Sequence, residues 1–324
     1  MRNRISQRRK LIFAAIPLVT LALTGWVLGA CTRSFAQPPE PAMARNAPAP
    51  GPIRLSNEEA QALVKLTLQT ELNAAQDLAH PMQYRLRKMS PRIATTKLIV
   101  ETKDGDVARL VAINDSPLSL ADQQNEESRL QGLLNDPNLQ RHRQEREQGD
   151  TERARKVMRA LPDAFLYTFS GVVGTPEGES YRLSFQPNPK FDPQDLESQV
   201  LKGMAGEMWI DVAQKRVTRL EGKRIHDVDY GWGILGKLDQ GGTLLLEQSD
   251  VGNHQWRTTH MVLVMNARVL LKIIKLDTTL ELSQFTPVDT GMNYKDAIQL
   301  LLSRDRLDSK TQSVAKSSGS GSEK

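Results

Sequence analysis

From Phe165 onward the chain is almost unbroken strand, and no segment of helical length separates one strand from the next. Phe165, Tyr167 and Phe169 share one parity, as do Tyr181, Leu183 and Phe185, before "QPNPKFDP" turns the chain away. "GEMWIDVAQKRVTRLEGK" alternates, turns near Ala213 to Lys215 and alternates again. "TLLLEQ", "WRTTHMVLVM", "RVLLKIIKL" and "TTLELSQF" follow in quick succession. Parallel neighbours need a long crossover, usually a helix, so these short connections point to an antiparallel meander and away from a doubly wound sheet.

The first half reads differently. Ser56 and Glu59 form a capping box, and Leu63, Val64, Leu68, Leu72, Ala75 and Ala79 recur at helical spacing, which predicts a helix over 56–79. After His80 and Pro81 the period changes, and "YRLRKMS" with "IATTKLIVETKDGDVARLVAIN" predicts three strands with a hairpin turn at Asp104 and Gly105. Residues 121–161 are dense in Gln, Glu and Arg and read as a charged helical insertion broken near Asn135, Asp136 and Pro137. Its mixed signs fit a solvated helix laced by i, i+4 pairs better than a binding arm. A short helix is expected over "NYKDAIQLLLSR".

The N-terminus reads as an export signal over residues 1–36. Arg2, Arg4, Arg8, Arg9 and Lys10 precede an apolar run from Leu11 to Ala30. Two cleavage patterns follow. "LGAC" is a lipobox that would make Cys31 a lipidation site and the first mature residue, whereas "SFA" would start the mature chain at Gln37. The Pro- and Ala-rich stretch 37–52 reads as an extended tether, 53–305 as the folded domain and 306–324 as a disordered tail. The location expected is the bacterial envelope: the periplasm, with outer-membrane anchoring if Cys31 is acylated.

Charge removes one function class. Five of the 43 Lys and Arg precede Cys31, leaving 38 against 38 Asp and Glu. A neutral mature chain lacks the basic footprint of a nucleic-acid binder. The spacing of Gly231, Gly233 and Gly236, followed by Lys237, suggests a nucleotide loop. A dinucleotide site needs a helix directly after the glycines, however, and "KLDQGGTLLLEQ" is broken by Gly241 and Gly242 and then reads as strand. The kinase partner motifs and the strict P-loop are also missing. The glycines are therefore read as a connection between strands, with Trp232, Ile234 and Leu235 as a loop rim.

"FQPNPKFDP", "GEMWID...RVTRLEG", "DVDYGWGILGKLDQGGTLLLEQ...W" and "FTPV" resemble exported bacterial proteins of the lipoprotein-localisation (LolA/LolB-like) superfamily, over about Phe165 to Val288. The resemblance implies an α+β fold: a strongly curved antiparallel sheet, an unclosed half-barrel, with helices covering the concave face over an apolar cavity that holds acyl chains. Parity alone then nominates Phe169, Leu183, Phe185, Met208, Ile210, Leu263 and Met265 for the cavity wall. In "HMVLVMNARVLLKIIKL" both parities are apolar, which predicts strands covered on both faces.

No reaction is legible. The five histidines show no metal-ligand spacing, no G-x-S-x-G elbow occurs and the single cysteine lies at the signal boundary. The expectation is a non-catalytic protein without metal or cofactor. Its partners would be a lipid or acylated peptide and a membrane surface. The alternative is a structural or assembly lipoprotein that contacts an envelope protein through the charged insertion and the Trp232 loop.

Overall fold

The computed structural model describes residues 54–76, 79–230, 236–269 and 272–303. The signal, Cys31, the whole 37–52 tether, the tail, and Trp232, Ile234 and Leu235 lie outside the described residues.

The first helix, α1 (Asn57–Ala74), begins where the capping box places it. The Ser56 side chain accepts from Glu59 N at 3.2 Å, and Glu59 accepts from Ser56 N at 2.7 Å. Ala60, Val64, Leu68 and Leu72 are buried along one stripe, and the helix stops at Ala74 rather than Ala79. Three strands follow: β1 (Met82–Ser90), β2 (Ile93–Val100) and β3 (Val107–Ile113), with a two-residue β4 at Ser116–Pro117. The expected insertion is α2 (Leu120–Asn135) and α3 (Pro137–Ala164). Their break has a local cause. Asp136 adopts an extended backbone, its side chain accepts from Asn138 N at 2.9 Å, and Pro137 opens the next helix without needing an N–H partner.

The remainder is strand: β5 (Phe165–Thr175), β6 (Gly178–Pro187), β7 (Met204–Asp211), β8 (Val217–Arg224), β9 (Val228–Tyr230), β10 (Gly236–Leu238), β11 (Thr243–Asp250), β12 (Trp256–Val269) and β13 (Lys272–Pro287). A short 3-10 turn at Ser198–Leu201 precedes β7, and a last helix, α4, covers 294–303. All pairings are antiparallel. The 13 strands run β4-β3-β2-β1-β13-β12-β11-β8-β7-β6-β5, with β10 joining β12 and β9 joining β10. The sheet does not close, and the fold is the expected α+β type with an open, half-barrel-like sheet.

Helix α3 explains why the sheet is bent. In its first half, Gln140 donates to Asp104 O at 2.7 Å and Glu147 accepts from Asp106 N at 3.1 Å in the β2–β3 turn. Ten residues later, Val157 enters the core of β5 to β8. Ten helical residues span about 15 Å, whereas β2 and β8 lie five strand spacings apart, about 24 Å along the sheet. The sheet therefore curves toward α3, which crosses its concave side.

Two cores result. The inner one joins Ala60, Val64 and Leu68 of α1 and Val157 and Leu161 of α3 to Leu183, Phe185, Met208 and Ile210. The outer one joins Leu130 and Leu133 of α2 and Ile298 and Leu301 of α4 to Val100 and Val107. Strand register places these last two on the opposite face from the inner core: Val100 pairs with Gln83, one residue out of phase with Tyr84, Leu86 and Lys88. Between the two cores, α2 seals the edge of β3. Leu110 N donates to Glu126 at 2.7 Å, and Arg129, bound to Glu126 at 2.7 Å, donates to Ala108 O. These side chains occupy backbone groups that a foreign strand would otherwise pair with.

Candidate binding site

Cross-strand partners lie on one face of a sheet, so register defines rows of neighbouring side chains. One row on the concave face runs Phe169, Leu183, Met208, Leu220, Leu246, Met261, Leu280 and ends at Lys88 on β1. The next runs Phe185, Gly206, Gly222, Leu244, Leu263 and Thr278. Beyond it, Met265 pairs with Leu276 and Ala267 with Ile274. All seven residues nominated by parity thus share the concave face.

They divide into two environments. Leu183, Met208 and Ile210 are 0 % exposed, Phe185 is buried beside them, and Phe169 packs partly buried against the same cluster. The Phe185 ring centroid lies 4.6 Å from that of Phe165. The immediate neighbours of these five are α1 and α3 side chains, because amphipathic helix stripes meet the sheet there. Their packing is that of a core. Leu263 and Met265 are different: with Leu244, Leu246, Leu276 and Ile274 they are half-buried, and none of them belongs to the inner core. Met265 and Ile274 border a small cluster of Val228, Leu238 and Ala267. The part of α3 between its anchors, residues 148–156, contributes to neither core, and its only apolar side chain is Ala154. A half-buried apolar strip lies across β11, β12 and β13, next to Met261 and Leu280, which are buried on the same face.

The expectation that β12 is covered on both faces is corrected. Val264, on the convex face, is 40 % exposed, and Ile273, on the same face of β13, is 60 % exposed. Both parities are apolar without both being buried. That convex face carries charge in cross-strand pairs: Arg182 with Glu207 at 2.7 Å, Arg219 with Glu247, His260 with Glu247 at 2.9 Å and Arg87 with Glu281 at 3.0 Å. His260 is thus a strand partner of a carboxylate. His254 lies in the turn before β12, 3.4 Å from Asp250. Among the described residues no three His, Cys, Asp or Glu side chains are grouped to hold a metal ion.

The glycine stretch falls between β9 and β10, and Gly236 pairs with Tyr230 on one side and Val269 on the other. Strand follows the glycines where a dinucleotide site requires a helix.

Sequence reasoning missed the charged end of the concave rows. Lys88 pairs with Leu280, and Lys97 pairs with Leu86, which in turn pairs with Leu282. Neither lysine has a hydrogen-bond or ion-pair partner among the described residues; Lys97 is half-buried and Lys88 is exposed. Burial holds the Lys97 ammonium below its usual pKa, with Arg129 and Lys88 adding repulsion and Glu126 partly opposing them. The signal was present as "RLRKM" and "TTKLI", but which face each lysine takes depends on long-range register.

No protein-family profile matches the chain, and no curated protein matches it. It is similar to a solved Vibrio parahaemolyticus structure assigned as an outer membrane lipoprotein-sorting protein domain. That likeness has a TM-score of 0.30 and 11% identity, over 76% of this chain and 99% of that one. At this level of similarity the chain's own residues must carry the functional reading. No described helix is long and apolar enough to cross a membrane.

Proposed function

We propose that this is a non-catalytic protein of the bacterial envelope that holds an acyl chain, as a lipid or an acylated peptide, against the concave strip of β11 to β13. The observation that carries the reading is the contrast within one face. Against α1 and α3, Leu183, Phe185, Met208 and Ile210 are buried; across β11 to β13, Leu244, Leu263, Met265 and Leu276 are half-buried beside the buried Met261 and Leu280. Contiguous apolar surface of this kind is a binding surface, and a methionine suits an adaptable wall. The export signal supplies the compartment, and a role in lipid or lipoprotein trafficking follows from the cargo.

The test is binding of a fluorescent fatty acid to the full chain and to Leu263→Glu combined with Met265→Glu. These sites lie outside the inner core, so the far-UV spectrum should be unchanged. Affinity should fall at least about tenfold, since removing the burial of one or two such side chains is worth about 1.5–3 kcal/mol each. Equal affinity would contradict the reading.

A second reading, assembly through protein contacts, is favoured by the exposed Ile273 and Val264 on the convex face. It predicts that Ile273→Lys weakens association with an envelope partner while fatty-acid binding persists. Deleting 121–161 does not separate the two readings, because Leu130, Leu133, Val157 and Leu161 are core residues.

A further inference from the structure

We propose that the outer edge of β13 over residues 272–278 is a slot for an extended peptide, and that the cargo is an acylated peptide whose backbone pairs with this edge while its chain lies on the concave strip. The proposal rests on the acyl-binding reading and names the class of cargo. β13 pairs with β12 from Lys272 to Glu281 but with β1 only from Thr279 to Pro287. On the β1 side, residues 272–278 have no strand beside them among the described residues, and no other described segment hydrogen-bonds to their backbone. Roughly 20 Å of strand thus keeps alternate N–H and C=O groups facing outward. The edge of β3 has its seal in Glu126 and Arg129; this edge has none among the described residues.

Charge and position select the occupant. An open edge accepts any extended chain, a second copy of this one included. Lys272 and Lys275 are exposed on this edge, and neither has an ion-pair partner among the described residues. Antiparallel self-pairing over the whole stretch sets Lys275 directly opposite its own copy, and like charges so placed oppose the pairing. A peptide with an acid opposite Lys275 turns the same contact into an attraction. Position then joins the edge to the strip. Ile274 and Leu276 are half-buried on the concave face, Leu276 pairs with Met265, and Thr278 pairs with Leu263. A strand added about 4.8 Å away sets its own concave side chains, and an acyl chain on its first residue, beside these apolar groups. Its line continues that of β1, whose pairing with β13 stops at Met89 and Thr279, so the β1–β2 turn closes one end of the slot. A free lipid covers the strip and leaves the edge to water, whereas an acylated peptide satisfies both.

The experiment measures binding of the full chain to three probes: an octanoylated hexapeptide of alternating threonine and glutamate, the same probe with every backbone nitrogen methylated, and octanoic acid. Methylation removes the peptide's donors and keeps its charge and its chain. The unmethylated probe should bind at least about tenfold more tightly than the methylated one, the loss of several backbone hydrogen bonds, and it alone should slow hydrogen exchange of the backbone amides in 272–278. Leu263→Glu with Met265→Glu should weaken all three probes. Equal affinity for the two peptides, or protection that falls elsewhere in the sheet, overturns the slot and leaves the acyl-binding reading standing. Binding of none of the probes overturns both. Protection of 272–278 that grows with protein concentration in the absence of any probe shows that a second copy takes the edge and overturns the peptide assignment.

Discussion

Glu71 on α1 and Arg216 just before β8 form a two-pronged ion pair inside the protein, with both N···O distances 2.9 Å and side chains 1% and 7% exposed. Val217 N donates to the same carboxylate at 2.9 Å, so one glutamate joins the helix to the sheet through three hydrogen bonds. Removing one member strands the other charge. Glu71→Ala is expected to cost about 3–5 kcal/mol in urea unfolding. A matched Glu71→Met, Arg216→Leu pair should recover most of that loss; a cost as small as that of a surface pair would show that the charges are solvated.

A second relationship predicts a pH dependence. Glu101, Asp106 and Glu147 gather where α3 meets the β2–β3 turn. Burial raises the pKa of each, and for Asp106 the charges of Glu101 and Glu147 add to it while Arg143 and Arg257 oppose it. Folded-state values above the unfolded ones mean that the protonated forms are favoured on folding. Their contribution is fully present below the unfolded pKa and is lost as pH rises through the folded one. Asp106→Asn fixes the neutral state, so its Tm should exceed wild type by a margin that widens from about pH 4 to about pH 8. A margin that is constant or narrows with pH contradicts this.

Gly206 and Gly222 face each other across β7 and β8 in the row between Phe185 and Leu244. A Cβ on Gly206 would fall 1.9 Å from Glu221 O, a backbone atom that cannot yield without moving the strand. Gly206→Ala should destabilise by about 1–3 kcal/mol. Gly132, inside α2 with open space around it, is the control: Gly132→Ala should stabilise by roughly 0.5–1 kcal/mol through helix propensity.

Local chemistry was legible in the sequence. The Ser56 and Glu59 box, the Asp136–Pro137 break, the turn at Ala213 to Lys215 and the antiparallel meander all depend on residues a few positions apart. What could not be read depends on partners far along the chain. Leu183 and Leu263 have the same parity in similar strands, yet only the first meets α1 and α3, which is a matter of where helices land. Val264 is apolar and exposed because no described helix covers it. Lys88 and Lys97 look like ordinary wet-face lysines until register places them at the end of a leucine row.

The seal on β3 makes its own prediction. Glu126→Ala with Arg129→Ala would free Leu110 N and Ala108 O along an edge strand while leaving Leu130 and Leu133 in place. The variant should stay folded and self-associate in a concentration-dependent way, seen by light scattering after size exclusion. A variant that remains as monodisperse as wild type would show that α2 blocks the edge by bulk alone.

The central claim, that the concave strip of β11 to β13 holds an acyl chain, is tested most directly by native mass spectrometry of the full chain isolated from a bacterial envelope, with organic extraction of whatever leaves it. The account predicts a bound lipid or acylated peptide in substantial occupancy, lost in the Leu263→Glu, Met265→Glu variant. Apo protein alone from wild type, or the same cargo carried equally by the variant, would contradict it.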